Sequence, residues 1–392
     1  MRFHIIGSGP IGGLVAFHLR RYLRPKDLVS LIHRDHQHCD LAIQKGGNIQ
    51  VESNRIVRVA SGFFHETFDS FVDDSIRKSR IDSLIIATKA QHTLSILRQL
   101  LPRLTPSSTI VLMQNGMGVY EETVEKLFTD PANRPHFVVA VNTHGAWLKG
   151  ALNVVHAGQG AIKLGIMPDG RGRDFEANPT QDNPLYPGAL PTINHLQLRD
   201  ISTLATDSAE ENHYRSLRNT ISVLSSLEAL NVEWRPIHEV EMAMRVKLVV
   251  NSFVNTMTAI MGCRNGNLLA SSHGYRILEQ VCQEAHNVFK AQWEAERRQQ
   301  DVEDTSLVTD TLFPPALEPR LLENECKRVI DVTKNNISST LQDVRAKRGT
   351  EMKYITGYLM DLAEKYQVEV PTHKLLWEML ELRRSIPFGA LL

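Results

Sequence analysis

Short apolar runs alternate with amphipathic helical stretches over the first 165 or so residues. The apolar runs predict strands at residues 3–6, 28–33, 83–87, 109–113 and 137–142. Helical patterns, such as those of residues 11–23 and 92–101, lie between most of them. Strands that alternate with helices are typical of βαβ units around a parallel sheet. Residues 153–156 and 161–166 flank a glycine-containing turn and predict an antiparallel hairpin that closes this region.

The pattern changes after this region. Residues 168–211 are rich in Gly, Pro and Asn and predict an insertion or linker. Residues 212–230 predict a helix and residues 232–234 a short strand. From residue 239 onward the pattern is almost wholly helical, interrupted by a charged, proline-bearing stretch at 297–319 that we interpret as a surface excursion.

Length and composition fit a globular protein of two domains. The chain has 392 residues, of which 42% are hydrophobic and 22% charged. We therefore predict the α/β class, with an α/β domain at residues 1–211, including the insertion, and an all-helical domain at residues 212–392. Lys+Arg and Asp+Glu both number 44, so no global field favours nucleic acid or an anionic membrane.

Cysteine usage and hydropathy indicate a soluble intracellular protein. The four cysteines are far apart and form no metal-binding or redox pair: Cys39, Cys263, Cys282 and Cys326. The scattered histidines fit core, cap or surface groups, so we expect no metal site. No apolar run reaches the roughly 18 residues of a membrane-spanning helix. Because a strand pattern begins at residue 2, we expect no leader peptide. We expect a cytoplasmic protein, with mitochondrial import as the open alternative.

A glycine motif follows the first predicted strand and opens the first predicted helix. It comprises Gly7, Ser8, Gly9, Pro10, Ile11 and Gly12. Gly7 would permit a tight turn, Gly9 a close approach of the backbone to a pyrophosphate, and Gly12 close packing of helix on strand. The helix N-terminus would offer free N–H groups to the phosphates. This context favours a dinucleotide site over a merely structural turn.

The end of the second predicted strand carries the residues that choose the cofactor. Arg34 could hold the 2′-phosphate of NADP, whereas Asp35 could accept a hydrogen bond from the ribose of NAD. We predict NADPH through Arg34; the alternatives are NAD through Asp35 and a solvated pair of Arg34 with Asp35 or Asp27. Two further strand ends carry Lys89 and Asn115, which we interpret as a cofactor rim rather than a surface lysine and a turn former.

The helix predicted around residues 246–260 is apolar nearly all round, yet it carries Lys247, Asn251 and Asn255 at successive turns. This spacing places the three polar side chains on one face. A lysine and two amides in a buried helix would need the oxygens of a ligand as partners, unless the helix is half exposed and the face meets water. An ammonium can stabilise the charge on a ketone oxygen during hydride reduction and deliver the proton, so Lys247 is our candidate general acid.

A second polar segment contains Ser339 and Glu351, twelve residues apart. If both lie on one long helix, they share a face. The alternative is a capping sequence, because Asn and Ser favour helix starts. The pattern alone leaves these two interpretations open.

These motifs together resemble the ketopantoate reductase family, also called 2-dehydropantoate 2-reductase. The specific segments are the lysine helix and the Ser-Ser-Thr-Leu-Gln-Asp run at 338–343, supported by the glycine motif, the 114–118, 142–146 and 156–160 segments, and Asn265-Gly266. The resemblance implies a Rossmann domain followed by a helical domain, and reduction of ketopantoate to pantoate by NADPH in pantothenate biosynthesis. It implies Lys247 as general acid, and substrate contacts from Asn251, Asn255, Asn265, Asn336 and Ser339. It implies cofactor contacts from the glycine loop and from Arg34, Lys89, Asn115, Ala146 and Glu351.

The 168–211 and 297–319 stretches are longer than the resemblance requires, and neither interrupts a motif. We interpret them as surface additions that could serve oligomerisation, for example as a homodimer, or a partner. Two alternatives stay open at this point: a reductase of another branched 2-keto acid, and a non-catalytic NADP-binding subunit of the same fold.

Overall fold

The computed structural model describes residues 1–68, 80–176, 196–202, 208–303 and 312–386, with the backbone alone at 299–303. The chain divides into two compact units. The first unit comprises residues 1–114 and 119–241, and the second unit comprises residues 115–118 and 242–392.

The described strands all belong to the first unit. They are β1 (Arg2–Ile6), β2 (Leu28–His33), β3 (Ile49–Ser53), β4 (Ile56–Ala60), β5 (Phe64–Thr67), β6 (Ser83–Ile86), β7 (Thr109–Leu112), β8 (His136–Asn142), β9 (Gly145–Gly150), β10 (Asn153–Gly158), β11 (Ile162–Ile166) and β12 (Val232–Trp234).

Eight of these strands form a sheet in the order β12-β11-β8-β7-β6-β1-β2-β5. From β5 to β8 all neighbours are parallel, and β11 pairs with β8 in the antiparallel sense. The chain runs from β1 outward to β2, and later returns to place β6 on the other side of β1. The carboxyl end of β1 is therefore a topological switch point, where open α/β sheets bind ligands.

A second sheet of four strands has the order β4-β3-β10-β9. The first helix, α1 (Pro10–Tyr22), packs on strands of both sheets and is buried from Gly12 to Phe17. At Gly13 an added Cβ would lie 2.8 Å from the Val154 side chain, so a glycine is needed for this close approach.

The remaining helices are α2 (His36–Gln44), α3 (Thr93–Leu100), α4 (Val119–Leu127), α5 (Leu198–Ile201), α6 (Ala209–Ser225), α7 (Ile237–Met261), α8 (Ser272–Glu303), α9 (Pro319–Val332), α10 (Ser339–Arg345), α11 (Thr356–Lys365) and α12 (Pro371–Ser385). Short 3-10 helices occur at Ala90–His92, Leu101–Arg103, Pro131–Asn133, Glu228–Leu230, Asn265–Leu269, Pro315–Leu317 and Met352–Tyr354. The unit boundary falls within α7, after Glu241. Apolar residues of α7 to α12, among them Val249, Phe253 and Leu359, form the core of the second unit.

The predicted α/β fold with a helical C-terminal region is confirmed, and the five strands predicted first form within one residue of their expected bounds. The predicted 153–166 hairpin is wrong. Strand β10 pairs with β9 and β3, whereas β11 pairs with β8 and β12 in the other sheet. The separation begins at Gly160, where an added Cβ would meet the Thr143 carbonyl at 2.5–2.6 Å, and Thr143 exchanges hydrogen bonds with Ala161.

The compact units divide later along the chain than the domain boundary expected between residues 211 and 212. Helix α6 packs on the large sheet through hydrogen bonds from Ser83 to Thr220 (2.6 Å) and from Thr109 to Ser216 (2.7 Å). Strand β12 extends the same sheet, so this part of the chain completes the first unit.

Of the expected insertion, residues 177–195 and 203–207 lie outside the described residues. In the 297–319 stretch, α8 continues to Glu303 and residues 304–311 lie outside the description. None of the helices in the described ranges combines the length and apolarity needed to span a bilayer.

Candidate active site

The glycine loop joins β1 to α1 at the switch point of the large sheet. Gly7 has a φ of +100°, and an added Cβ would lie 2.5 Å from the Thr88 nitrogen. At Gly12 an added Cβ would overlap the Gly7 carbonyl oxygen. By contrast, a Cβ at Gly9 would meet no described atom within 4 Å. Two glycines therefore serve close packing within the fold, and the third leaves open space in front of the helix.

The start of α1 fits a phosphate group. Gly9 is the N-cap residue, no described side chain caps the helix, and Pro10 occupies the first turn. Ser8 and Ile11 are partly buried beside them. The first-turn N–H groups and the positive end of the helix dipole therefore face the space left by Gly9, which is the arrangement that binds pyrophosphate.

Three buried polar oxygens lie just after β6 and β7 of the same sheet edge. Thr88 Oγ1, Gln91 Oε1 and Gln114 Oε1 have no hydrogen-bond partner among the described residues. Buried polar atoms without partners are rare in folded proteins. A ligand that carries hydroxyl and amide groups, such as a nicotinamide dinucleotide, would satisfy them, so the residues present fit this cofactor.

Arg34 and Asp35 follow β2 at this edge and differ in role: Asp35 caps a helix, whereas Arg34 is largely exposed. The Asp35 carboxylate caps α2 by accepting hydrogen bonds from the His38 backbone N–H (2.8 Å) and the His38 ring (2.7 Å). This capping lowers the pKa of Asp35. The Arg34 guanidinium is three-quarters exposed and contacts both Asp35 (3.1 Å) and the His38 ring (2.7 Å). The Arg34–Asp35 pair is thus present, and the acid is engaged as a helix cap.

Two other expected cofactor residues lie in the first unit. Lys89 is partly buried and precedes the 3-10 helix Ala90–His92 after β6. Ala146 lies in β9 of the four-stranded sheet, opposite His156, and packs against the core of the first unit. Their roles toward a cofactor stay predictions.

The second unit contains a chain of three polar side chains. Lys247 Nζ donates a hydrogen bond to Asn115 Oδ1 (2.9 Å), and Asn115 Nδ2 donates to Glu351 Oε2 (3.1 Å). All three residues are partly buried. Asn115 is held in place by the neighbouring residues, because the Met117 N–H donates to the Tyr354 carbonyl (2.8 Å), and a Cβ on Gly116 would collide with that carbonyl.

The environment of Lys247 changes its acidity. Burial lowers the pKa of Lys247 from its ordinary value of 10.5 to about 8, and the nearby Glu351 carboxylate acts in the opposite direction. A lysine with a pKa near neutrality can both hold and release a proton under physiological conditions.

The helix predicted around residues 246–260 is part of α7, and it carries the predicted polar stripe of Lys247, Asn251 and Asn255 on one face. Every one of residues 248–259 is buried except Asn251 and Asn255, which are partly exposed. They follow Lys247 at intervals of four residues and so share its helix face. The polar stripe is therefore the accessible part of an otherwise buried segment. The segment is buried, as the ligand-binding interpretation requires, but the polar face is partly open, as the half-exposed interpretation requires.

Asn265 begins the 3-10 helix after α7 and is buried. Its Nδ2 donates to Thr333 Oγ1 (2.9 Å), whereas its Oδ1 has no partner in the described part of the chain. Its backbone N–H donates to the Asn336 carbonyl (3.1 Å), which fixes the two asparagines next to each other. The Asn336 side chain is exposed.

Ser339 and Glu351 do not share one helix. Helix α10 begins at Ser339 and ends at Arg345, and Glu351 precedes the 3-10 helix Met352–Tyr354. The neighbouring Ser338 is the N-cap: its Oγ accepts hydrogen bonds from the Leu341 N–H (3.1 Å) and from Thr258 Oγ1 (2.7 Å). The capping interpretation is therefore confirmed for Ser338, while the Ser339 side chain is left exposed.

Sequence reasoning missed the contacts that order the site. Asn115 and Glu351 were both expected, but as cofactor residues, and their hydrogen-bonded link to Lys247 has no local signal. Gln91 and Gln114 were not among the expected site residues. Their position after β6 and β7 is visible in the sequence, whereas the missing partners of their side-chain oxygens are not.

Comparisons with known proteins place the chain in a family. A sequence model described as ketopantoate reductase PanE/ApbA matches residues 3–169, and one for the C-terminal part of the same family matches residues 239–384. The 2-dehydropantoate 2-reductase of Saccharomyces cerevisiae is 24% identical over 397 residues, which cover 98% of this chain and 94% of the yeast protein.

Solved structures share the fold over nearly the whole chain. The PanE/ApbA family ketopantoate reductase of Ralstonia eutropha JMP134 superposes with a TM-score of 0.67 at 17% identity, covering 98% of each chain. A D-mandelate dehydrogenase solved with NADH and anilino(oxo)acetate gives a TM-score of 0.66 at 18% identity, with the same coverage. Because the two family models together span more than half of the residues, this chain belongs to the ketopantoate reductase family.

Proposed function

We propose that this protein reduces 2-dehydropantoate to pantoate with NADPH as the hydride donor. The observation that carries the proposal is the position of Lys247, whose ammonium is hydrogen-bonded to Asn115 and has a pKa near 8. Membership of the ketopantoate reductase family supports the substrate, and the name of the yeast relative agrees with it. The pathway that follows is pantothenate and coenzyme A biosynthesis.

Lys247 acts as the general acid. When the ketone carbon gains a hydride, its oxygen gains negative charge, and the ammonium stabilises that charge and transfers a proton to the oxygen. The product is the 2-hydroxy acid, and the lysine is left as a neutral amine that regains its proton from solvent. Asn115, fixed by Glu351, orients the ammonium through its side-chain oxygen.

The substrate is held by polar groups on the same unit. Asn251 and Asn255 extend the Lys247 face by two turns of α7, so their amides can bind the carboxylate and hydroxyl groups of the keto acid. The unpartnered Oδ1 of Asn265 can accept a hydrogen bond from a substrate hydroxyl. Asn336 and Ser339, both exposed, complete the predicted contacts.

The glycine loop and Arg34 support the choice of cofactor. NADPH supplies the hydride from its nicotinamide ring. The open space at Gly9 and the uncapped start of α1 suit the pyrophosphate. Because the Asp35 carboxylate already caps α2, Arg34 is the residue at the end of β2 that can interact with a ribose substituent, and its positive charge favours a 2′-phosphate.

The proposal is tested by an NADPH-oxidation assay on the purified protein. We expect absorbance at the dihydronicotinamide band to fall when ketopantoate is added, with a higher kcat/KM than for other branched 2-keto acids. A clear preference for another 2-keto acid would change the assigned substrate but leave the proposed hydride transfer and proton donation unchanged. NADPH binding without turnover of any 2-keto acid would identify a non-catalytic subunit and contradict the proposed activity.

Two further expectations accompany this function. A homodimer is predicted and can be tested by light scattering on the purified protein. A cytoplasmic location, with mitochondrial import as the alternative, can be tested by imaging a tagged full-length chain.

A further inference from the structure

Two histidines and one aspartate meet in the first unit, away from the glycine loop in sequence. His136 is the first residue of β8, Asp169 follows β11, and His213 lies in α6. One potential ligand atom from each residue lies within 4.8 Å of those of the other two. The side chains of His136 and Asp169 are 2% and 5% exposed, so the cluster is buried.

The hydrogen bonds of His136 determine which ring nitrogen is free. Its Nε2 lies 3.1 Å from the backbone carbonyl oxygen of His213. A carbonyl oxygen only accepts, so Nε2 carries a proton, and in the neutral ring Nδ1 then holds a free lone pair. That lone pair faces Asp169 Oδ1 at 3.8 Å. Two acceptors facing each other in a buried place repel one another unless a cation or a proton donor lies between them.

The second carboxylate oxygen of Asp169 is already satisfied. Asp169 Oδ2 accepts hydrogen bonds from the Tyr214 hydroxyl (3.0 Å) and from the backbone N–H groups of Arg171 (3.1 Å) and Arg173 (3.3 Å). These bonds fix the carboxylate and leave Oδ1 directed at His136. Partners that orient a ligand from behind in this way are typical of metal sites.

The charges around the cluster are largely balanced for a cation. The Asp169 carboxylate supplies negative charge at the site. Arg171 and Arg173 follow it in the chain and oppose a cation, but Arg171 donates to the Ala132 carbonyl (3.4 Å), and Arg173 lies near Glu210 (3.7 Å), which offsets part of its charge.

We propose that His136, Asp169 and His213 bind one zinc ion, with a water molecule as the fourth ligand. Two imidazole nitrogens and one carboxylate oxygen are ligands that Zn²⁺ accepts in tetrahedral geometry. The ion would join three segments that are far apart in the chain and would stabilise the first unit. This site is independent of the proposed reductase activity. Its three residues are far apart in the sequence and form no compact metal-binding motif, so the sequence alone predicts no metal site.

The test uses the untagged full-length protein, stripped with a chelator and then given Zn²⁺ alone. We expect one equivalent of zinc by mass spectrometry after desalting, and a rise in Tm of about 5 °C at zinc concentrations well above Kd. Asp169→Asn and His213→Gln should each lose the bound zinc and the rise in Tm. His238→Gln changes an exposed histidine of the same unit and should retain both.

A second measurement uses only the wild-type protein, so it tests the proposal even if the variants do not fold. Co²⁺ added to the stripped wild-type protein should give the visible absorption of a tetrahedral site, and equimolar Zn²⁺ should abolish it. Wild-type protein that retains no zinc and gives no such cobalt spectrum would overturn the proposal. Zinc binding that persists in folded Asp169→Asn and His213→Gln proteins would overturn it as well.

Discussion

The ammonium of Lys247 donates a hydrogen bond to the side-chain oxygen of Asn115, a residue 132 positions earlier in the chain. Asn115 follows strand β7, yet residues 115–118 belong to the second unit, where Met117 is hydrogen-bonded to Tyr354. The same asparagine amide donates to Glu351. The proposed acid, Lys247, is therefore oriented by the short segment 115–118, and its pKa is influenced by Glu351 in a different segment.

Replacement of Lys247 by alanine should remove the proton donor. We expect kcat to fall by about 100- to 10,000-fold, the usual contribution of general acid catalysis, while the dissociation constant of NADPH stays nearly the same. Steady-state kinetics and fluorescence titration of NADPH would measure the two effects. The control is Lys126→Ala, which removes an exposed lysine paired with Glu122 and should leave kcat unchanged. Full turnover by the Lys247 variant would eliminate the assigned role.

The rate of ketone reduction should depend on the protonation of Lys247. Because the acid must carry its proton, kcat/KM for reduction should decline as the pH rises through about 8. Oxidation of the alcohol needs the neutral amine and should show the opposite trend. A pH profile of both directions in the same buffers would check this, and a reduction rate that is constant between about pH 7 and 10 would contradict it.

Glu351→Gln should move that profile in a defined direction. The Glu351 carboxylate raises the pKa of Lys247, so its neutralisation should lower this pKa and shift the decline of kcat/KM to lower pH. If Glu351 had a purely structural role, its replacement by Gln would reduce the rate without moving the pH profile. Glu325 is partly exposed and pairs with Arg328; its replacement by Gln as a control should leave the profile unchanged.

Arg34→Ala should weaken NADPH selectively. Loss of a charge-assisted contact with the 2′-phosphate should raise KM for NADPH by about 10- to 100-fold and leave KM for NADH nearly unchanged. Arg58, an exposed residue of β4, provides the control variant Arg58→Ala. If Arg34→Ala changed both cofactor constants equally, the residue would have no role in recognising the 2′-phosphate.

Two glycines of the loop should respond differently to alanine. A methyl group at Gly9 meets no described atom within 4 Å, so Gly9→Ala should keep its Tm but lose affinity for NADPH, because the methyl group fills the space that suits the pyrophosphate. At Gly12 the methyl group would overlap the Gly7 carbonyl, so Gly12→Ala should lower Tm as well. Thermal unfolding and NADPH titration of both variants would separate the effects; an equal loss of stability would refute the distinction.

Local features of the sequence were sufficient to predict much of the first unit. The strand bounds follow from apolar runs whose periodicity depends only on neighbouring residues, and the glycine motif follows from backbone geometry within a single turn. The spacing of Lys247, Asn251 and Asn255 is likewise a property of one helix. The use of Ser338 as a cap agrees with the preference of serine for helix starts.

The relationships between distant segments were decided by the tertiary structure. Strands β10 and β11 look like partners in sequence, but each has a better partner elsewhere, because strand pairing depends on which sheet each apolar face can join. Helix α10 ends at Arg345, so Ser339 and Glu351 do not share a helix, and Glu351 is hydrogen-bonded to Asn115 instead. The lowered pKa of Lys247 arises from burial, which the side chains packed around it create. Periodicity thus determines the elements and their polar faces, whereas burial and hydrogen bonding across the fold determine which polar groups act together.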